Sequence, residues 1–70
     1  MAAASREGGK RVRLRWDAGA YPMALVRDAA TGDILSFARG GDVALVGEAA
    51  ALDITFSDGV RSRKERATVR

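Results

Sequence analysis

A chain of 70 residues without a single cysteine or histidine makes at most one domain and must hold together by packing, since disulfides are impossible. The same absences remove the thiols of a zinc knuckle, the commonest metal ligand and the usual catalytic base. Twelve lysines and arginines against nine acids leave a formal charge of +3, and no apolar run approaches the roughly 20 residues of a membrane-spanning helix, so no membrane insertion is expected.

The charge is unevenly spread. Residues 1–16 hold Arg6, Lys10, Arg11, Arg13 and Arg15 against Glu7, and residues 61–70 hold Arg61, Arg63, Lys64, Arg66 and Arg70 against Glu65, so each end carries +4. The middle has Arg27 and Arg39 against seven acids, a balance of −5. Both ends are basic and the interior of the chain is acidic.

In chain order, the first ten residues mix alanine, serine, glycine and charge without periodicity. They are expected to form a flexible leader or linker ahead of a domain spanning residues 11–70. No stretch of the opening "MAAASREGGKR" is apolar enough for a signal peptide, so any export signal would have to sit on a longer parent chain. "RVRLRW" then alternates with period two, which predicts a strand with Val12, Leu14 and Trp16 on one face and Arg11, Arg13 and Arg15 on the other. "DAGA" breaks that pattern.

The stretch "YPMALVRDAATGDILSFARGG" predicts a hairpin. Two apolar runs, residues 21–27 and 33–39, flank "DAATGD", where Asp28 can accept from nearby amides and Gly32 can take a left-handed conformation. Pro22 marks an edge or a strand beginning, because proline cannot donate to a ladder. After Gly40 and Gly41, "DVALVG" is a short apolar run, and "EAAA" is too short to stand as a helix. "LDITFS" puts Leu52, Ile54 and Phe56 on one face, and Asp58-Gly59 signals a second hairpin turn. In the closing "VRSRKERATVR", Val60 takes the core side while Ala67 and Val69 have the opposite parity, so either a bulge intervenes or the first half is not paired to the core.

About six short strands at this spacing predict an all-β fold, a small antiparallel β-sandwich or small barrel. Its core is expected to contain Val12, Leu14, Trp16, Met23, Leu25, Leu35, Phe37, Val43, Leu45, Leu52, Ile54 and Phe56.

Catalysis is not expected. Ser5, Ser36, Ser57 and Ser62 have no histidine to take a proton, and a Ser–Lys pair would need Lys10 or Lys64 buried, whereas both lie in highly charged terminal runs. The acids Asp28, Asp33, Asp42 and Asp58 sit where turns need them. Asp28, Thr31 and Asp33 match no calcium-loop spacing. Gly40-Gly41 runs into an acid rather than a helix, so it is no phosphate cradle. No catalytic, cofactor-binding or metal-ligating residue is predicted. What remains is a set of cations, Arg11, Arg13, Arg15, Arg61, Arg63 and Lys64, as candidate contacts for an acidic partner. The plainer account is a row of solvated edge strands, since edge arginines block strand-to-strand aggregation. The alternative is a small basic barrel that binds nucleic acid through the same six cations: Trp16, Tyr21, Phe37 and Phe56 all sit in patterns that bury them, leaving no ring for single-strand stacking, but a reader of the duplex backbone needs none.

"LDITFSDGVRSRKERATVR" resembles the closing hairpin of bacterial immunoglobulin-like and fibronectin-type modules, with Ser57-Asp58-Gly59 as the turn. "YPMALVRDAATGDILSFARGG" is similar to stretches in accessory domains attached to secreted bacterial peptidases. Together they cover about forty of the 70 residues. The paired cysteines of true immunoglobulin domains are absent, and Phe56 lacks the hydroxyl of a tyrosine corner. The resemblance implies a non-catalytic protein-interaction or spacer module beside an enzyme, extracellular if the parent chain is exported, with no cofactor and no site residues carried over.

Overall fold

A computed structural model describes residues 2–70, and its seven strands are β1 (Ala3–Gly8), β2 (Arg11–Arg15), β3 (Met23–Asp28), β4 (Ile34–Arg39), β5 (Asp42–Val46), β6 (Ala51–Ser57) and β7 (Ser62–Thr68). There is no helix among the described residues. The strands form a three-stranded sheet, β1-β2-β5, and a four-stranded sheet, β4-β3-β6-β7. Every ladder within the sheets is antiparallel. The fold is a small β-sandwich, not a closed barrel.

The opening segment departs from its expected role as a leader: residues 3–8 are strand β1, paired with β2 from Ala3 opposite Arg15 to Gly8 opposite Arg11. Its sequence carries no β signal because one small residue, Ala4, supplies its buried contact, 3% exposed opposite Leu14. Ladder bonds and long reaches fix the strand instead. The Arg6 guanidinium donates to the carbonyls of Gly9, Gly47 and Ala49 at 3.3, 3.1 and 2.9 Å. The seam to the far sheet is stitched where Arg6 N–H donates to Arg70 C=O at 2.6 Å, Arg70 N–H donates to Ala4 C=O at 3.1 Å, and Ala4 bridges Val69 in parallel. Tertiary context overrides local preference here.

β2 runs between β1 and β5, so its arginines line a central strand and not an edge. Val12 and Leu14 are fully buried and Trp16 nearly so. The ring N–H of Trp16 donates to the carbonyl of Tyr21 at 2.8 Å, giving the indole the polar partner a covered tryptophan needs. Two tilted ring contacts, Trp16–Phe56 at 6.2 Å and Tyr21–Phe56 at 6.1 Å, close that end of the sandwich.

The β3–β4 hairpin forms where its turn chemistry places it. Asp28 accepts from the Ala30 amide at 2.8 Å through its carboxylate and from the Gly32 amide at 2.8 Å through its carbonyl, with Gly32 at φ +79°. Pro22 stands just ahead of β3, a central strand, so it marks a strand beginning. The facing of this hairpin is the reverse of the expected one. Ala24 and Val26 point inward and are fully buried, whereas Phe37 is 62% exposed and Met23 and Leu25 are only half-buried; Leu35, left unpaired at the register shift, packs against the core as expected. The cause lies across the ladder: Ala24 pairs with Phe56 and Val26 with Ile54. Because paired residues share a face, the bulky side chains of β6 set the inner face and small residues fit beside them. Val43, opposite Leu14, is half-buried and packs against the core as expected.

The second turn is longer than a two-residue hairpin. Ser57 pairs with Ser62, leaving residues 58–61 as the loop. The Asp58 carboxylate accepts from the amides of Val60 and Arg61 at 2.8 and 2.7 Å, and Gly59 sits at φ +94°. Val60, placed on the core side by simple parity, is 93% exposed at the tip. Counting restarts at Ser62, which brings Ala67 opposite Leu52 in an unbroken register. The interior is then Val12, Leu14 and Leu45 from one sheet against Val26, Leu52, Ile54 and Phe56 from the other, with no buried polar residue among them.

Candidate interaction surface

The two basic ends do not merge. β2 belongs to the three-stranded sheet and β7 is an edge of the four-stranded one, so the six cations singled out from the sequence divide among four places. Arg11, Arg13 and Arg15 project from the outer face of the smaller sheet, opposite in parity to buried Val12 and Leu14. Lys64, opposite Thr55, lies on the outer face of the larger sheet. Arg63 pairs with Phe56 and so lies on the inner parity, exposed at the rim. It overhangs a small cleft of about 70 Å³ walled by Trp16, Tyr21 and Phe56. Arg61 is in the β6–β7 loop.

The stripe on β2 is largely answered from within. Arg13 donates through Nε to Glu7 at 2.9 Å and through Nη1 to Asp42 at 2.9 Å, tying β1 and β5 across the central strand. These hydrogen bonds, Asp42 first and Glu7 second, raise the guanidinium pKa above its usual value. Arg15 approaches the same Asp42 at 3.8 Å, and Lys10 lies 3.9 Å from Glu48. Exposed pairs of this kind contribute little to stability. They do cancel the field that a binding stripe would need.

The outer face of the four-stranded sheet is different. The ladders align three rows across β4, β3, β6 and β7: Arg39, Met23, Ser57, Ser62; Phe37, Leu25, Thr55, Lys64; and Ile34, Arg27, Asp53, Arg66. One half of the face is therefore apolar. Ile34 is 60% and Phe37 62% exposed, with Leu25 and Met23 half-buried beside them. The other half carries more cations than acids, with an open depression of about 430 Å³ lined by Arg27, Asp53, Ile54, Thr55, Lys64, Glu65 and Arg66.

Asp53 is the face's acid, and it is already engaged. Arg66 donates to both its oxygens, at 2.8 and 3.1 Å. The Arg66 hydrogen bond holds the Asp53 carboxyl below its usual range, and the same bond raises the Arg66 pKa. Arg27 donates to the Gly32 carbonyl at 3.1 Å, which leaves its charge unbalanced. Among the described residues, Arg39 and Lys64 make no ion pair. The face thus combines exposed apolar side chains with uncompensated positive charge.

The sequence held a signal for this face. In "MALVR" both parities are apolar, so alternation alone cannot choose between Met23 and Leu25 on one side and Ala24 and Val26 on the other. Arg27 and Arg39, however, each stand two residues after Leu25 and Phe37. A cation at i+2 places that parity in solvent.

Among the described residues, no group of three or more acidic, histidine or cysteine side chains converges as a metal site, and no helix is long and apolar enough to cross a membrane. The chain matches no known family model, no curated protein and no solved structure.

Proposed function

We propose that this chain is a non-catalytic β-sandwich module that works by protein contact, with the outer face of the four-stranded sheet as its contact surface. The observation that carries the reading is the contiguous strip of Ile34, Phe37, Leu25 and Met23 on that face, bordered by Arg27, Arg39 and Lys64. Single exposed apolar residues are ordinary on any protein, but an adjoining group rimmed by charge marks an interaction site. The partner it suits is an acidic protein surface with apolar residues at its centre, on a neighbouring domain of a parent chain or on a separate molecule.

The immunoglobulin-like and fibronectin-like resemblance draws support from the strand order. Lettered in sequence, β1-β2-β5 corresponds to A-B-E and β3-β6-β7 to C-F-G, with β4 beside β3 on the C-F-G sheet as in variable-type domains. An accessory role beside a secreted bacterial enzyme is part of the same proposal.

Photo-crosslinking tests the contact surface. A benzophenone amino acid at position 37 is expected to give a discrete protein adduct in the source cells, while the same probe at Val46, 71% exposed on the other sheet, gives none. Equal labelling at both positions, or none at either, rejects the assignment.

A second reading has its own observation. Exposed Phe37 shares a face with Arg27, Arg39 and Lys64, which is the pairing of ring and cations that single-stranded nucleic acid uses. The aliphatic neighbours Ile34, Leu25 and Met23 give bases no further stacking surface, which favours protein. Anisotropy with mixed DNA and RNA oligonucleotides at two salt concentrations separates the two. Micromolar binding that weakens steeply with salt selects nucleic acid, and no binding at low salt removes it.

A further inference from the structure

We propose that β4 is a docking edge, and that the partner adds to it an extended acidic segment as a fifth strand of the larger sheet. The inference rests on the contact surface proposed above and names how it is used.

β4 has β3 on one side and no strand hydrogen-bonded on the other. Which of its backbone groups are free follows from the ladder. Gly40 N–H donates to Pro22 C=O at 3.1 Å, and partners in an antiparallel pair exchange bonds at every second position. With Ala38 opposite Ala24 and Ser36 opposite Val26, residues 36, 38 and 40 bond inward to β3. The N–H and C=O groups of Phe37 and Arg39 therefore face away from the sheet. An antiparallel segment laid there satisfies all four.

The edges at β7 and β1 are guarded more heavily than this one, and β5 carries acids at its ends. β7 carries Arg63, Lys64, Glu65 and Arg66 in succession and is bridged to β1 through Val69 and Ala4. β1 in turn bonds Arg70 at its outer side. β5 opens on Asp42 and is followed by Glu48. β4 reads "ILSFAR", with no proline, no lysine and no inward-pointing charge; its own guards, Arg39 and a register shift, lie at its two ends. Its register shift opposite Val26 and Arg27 leaves Phe37 to Arg39 regular.

Charge selects the occupant. A segment beside β4 extends the three rows of the outer face, which place Arg39, Phe37 and Ile34 nearest to it, with Arg27 one strand further in. Apolar side chains beside Phe37 and Ile34, with carboxylates towards Arg39 and Arg27, complement those rows. A second copy of this chain carries the same net charge of +3, so charge favours an acidic segment over self-pairing. Main-chain bonds then supply affinity and alternate side chains supply specificity.

The test begins with peptides selected from a random display library on the whole chain, then synthesised and measured by anisotropy. The expected binders carry Asp or Glu around an apolar centre. On binding, the amides of Phe37 and Arg39 should slow markedly in hydrogen exchange, while those of Ser36 and Ala38, already bonded, change little. Arg39→Pro removes one outward donor without touching the β3 ladder and should weaken binding about tenfold relative to Arg39→Ala, which keeps the donor and loses only the charge. The exchange measurement on the unaltered chain decides the matter should Arg39→Pro fail to fold. If Phe37→Ser abolishes binding but exchange at Phe37 and Arg39 is unaffected, strand addition is wrong and the contact surface stands. If Phe37→Ser leaves binding unchanged, or no peptide binds at micromolar concentration, both fall. Basic or charge-neutral binders, or a dimer in sedimentation that competes with peptide, overturn the acidic occupant.

Discussion

The chain contains two phenylalanines, and truncating each to alanine gives the sharpest test of the hairpin's facing. Phe56 is 2% exposed and wedged between the Trp16 and Tyr21 rings at 6.2 and 6.1 Å. Removing a ring from such a site costs about 3–5 kcal/mol, because transfer and cavity terms add. Phe37 is 62% exposed, so little more than a third of its surface is covered. A fully buried phenylalanine contributes up to about 3 kcal/mol, which scales to about 1 kcal/mol here, with no enclosed cavity left behind. A domain of this length has about 3.5–10 kcal/mol in total. Phe56→Ala should therefore be largely unfolded or lose at least about 12 °C in Tm, while Phe37→Ala loses less than about 8 °C. Far-UV circular dichroism against temperature and urea reads both. Equal losses, or a larger loss at Phe37, would mean that β4 faces the other way, and the contact surface would dissolve with it.

Further outcomes follow from the same geometry. Gly41 sits at φ +85°, and a Cβ there would lie 2.8 Å from the Trp16 carbonyl, whereas Gly40 at φ +92° has open space. Gly40→Ala should cost about 1–2 kcal/mol from backbone strain alone, and Gly41→Ala distinctly more in urea unfolding; the reverse order would refute the close approach. Ala24→Leu should overpack the inner face against Phe56 by about 1–3 kcal/mol, while Leu at position 23 in place of Met is tolerated on the outer face. The Asp58 carboxylate is held below its ordinary pKa of 3.8 by the amides of Arg61 and Val60. A depressed folded-state pKa means the stabilisation is present above the unfolded value and is lost as pH falls through the folded one. The Tm gap between the native chain and Asp58→Asn should accordingly be full at pH 7 and shrink below the unfolded value; a gap that widens in acid contradicts the turn.

The strands that were legible in sequence are those where one parity is polar. Arg11, Arg13 and Arg15 declare the orientation of β2, and Asp53, Thr55 and Ser57 that of β6. The turns at Asp28–Asp33 and Asp58–Gly59 announced themselves through residues with local hydrogen-bonding work to do. β1 escaped because its inward contact is one alanine and its fixing bonds come from Arg6 and Arg70, 64 positions apart in a chain of 70. The facing of β3 and β4 escaped because both of their parities are apolar: the cations Arg27 and Arg39 point to it in sequence, and pairing to Phe56 and Ile54 fixes it. For the surface, listing basic residues found charges but not their neighbours: which cations are cancelled, as Arg13 is by Glu7 and Asp42, depends on strand adjacency that linear sequence does not display.

The distribution of size between the two faces of the larger sheet bears on whether its outer side serves a purpose. Inside, β3 and β4 present Ala24, Val26, Leu35 and Ala38 to the interior, and β7 presents Ala67. Outside, the same strands display Met23, Leu25, Ile34 and Phe37. Packing accounts for the small residues inside, because Phe56 and Ile54 already fill that space and a larger side chain would overpack it; nothing in the core requires the large apolar side chains outside. The outer face accepts an exposed ring and aliphatic side chains next to a lightly guarded edge, a configuration that favours aggregation unless something occupies it. Cations on the same face resist self-association without adding stability. Large apolar groups placed outward, set beside charge of one sign and free main-chain bonds, are consistent with selection for a partner of opposite charge.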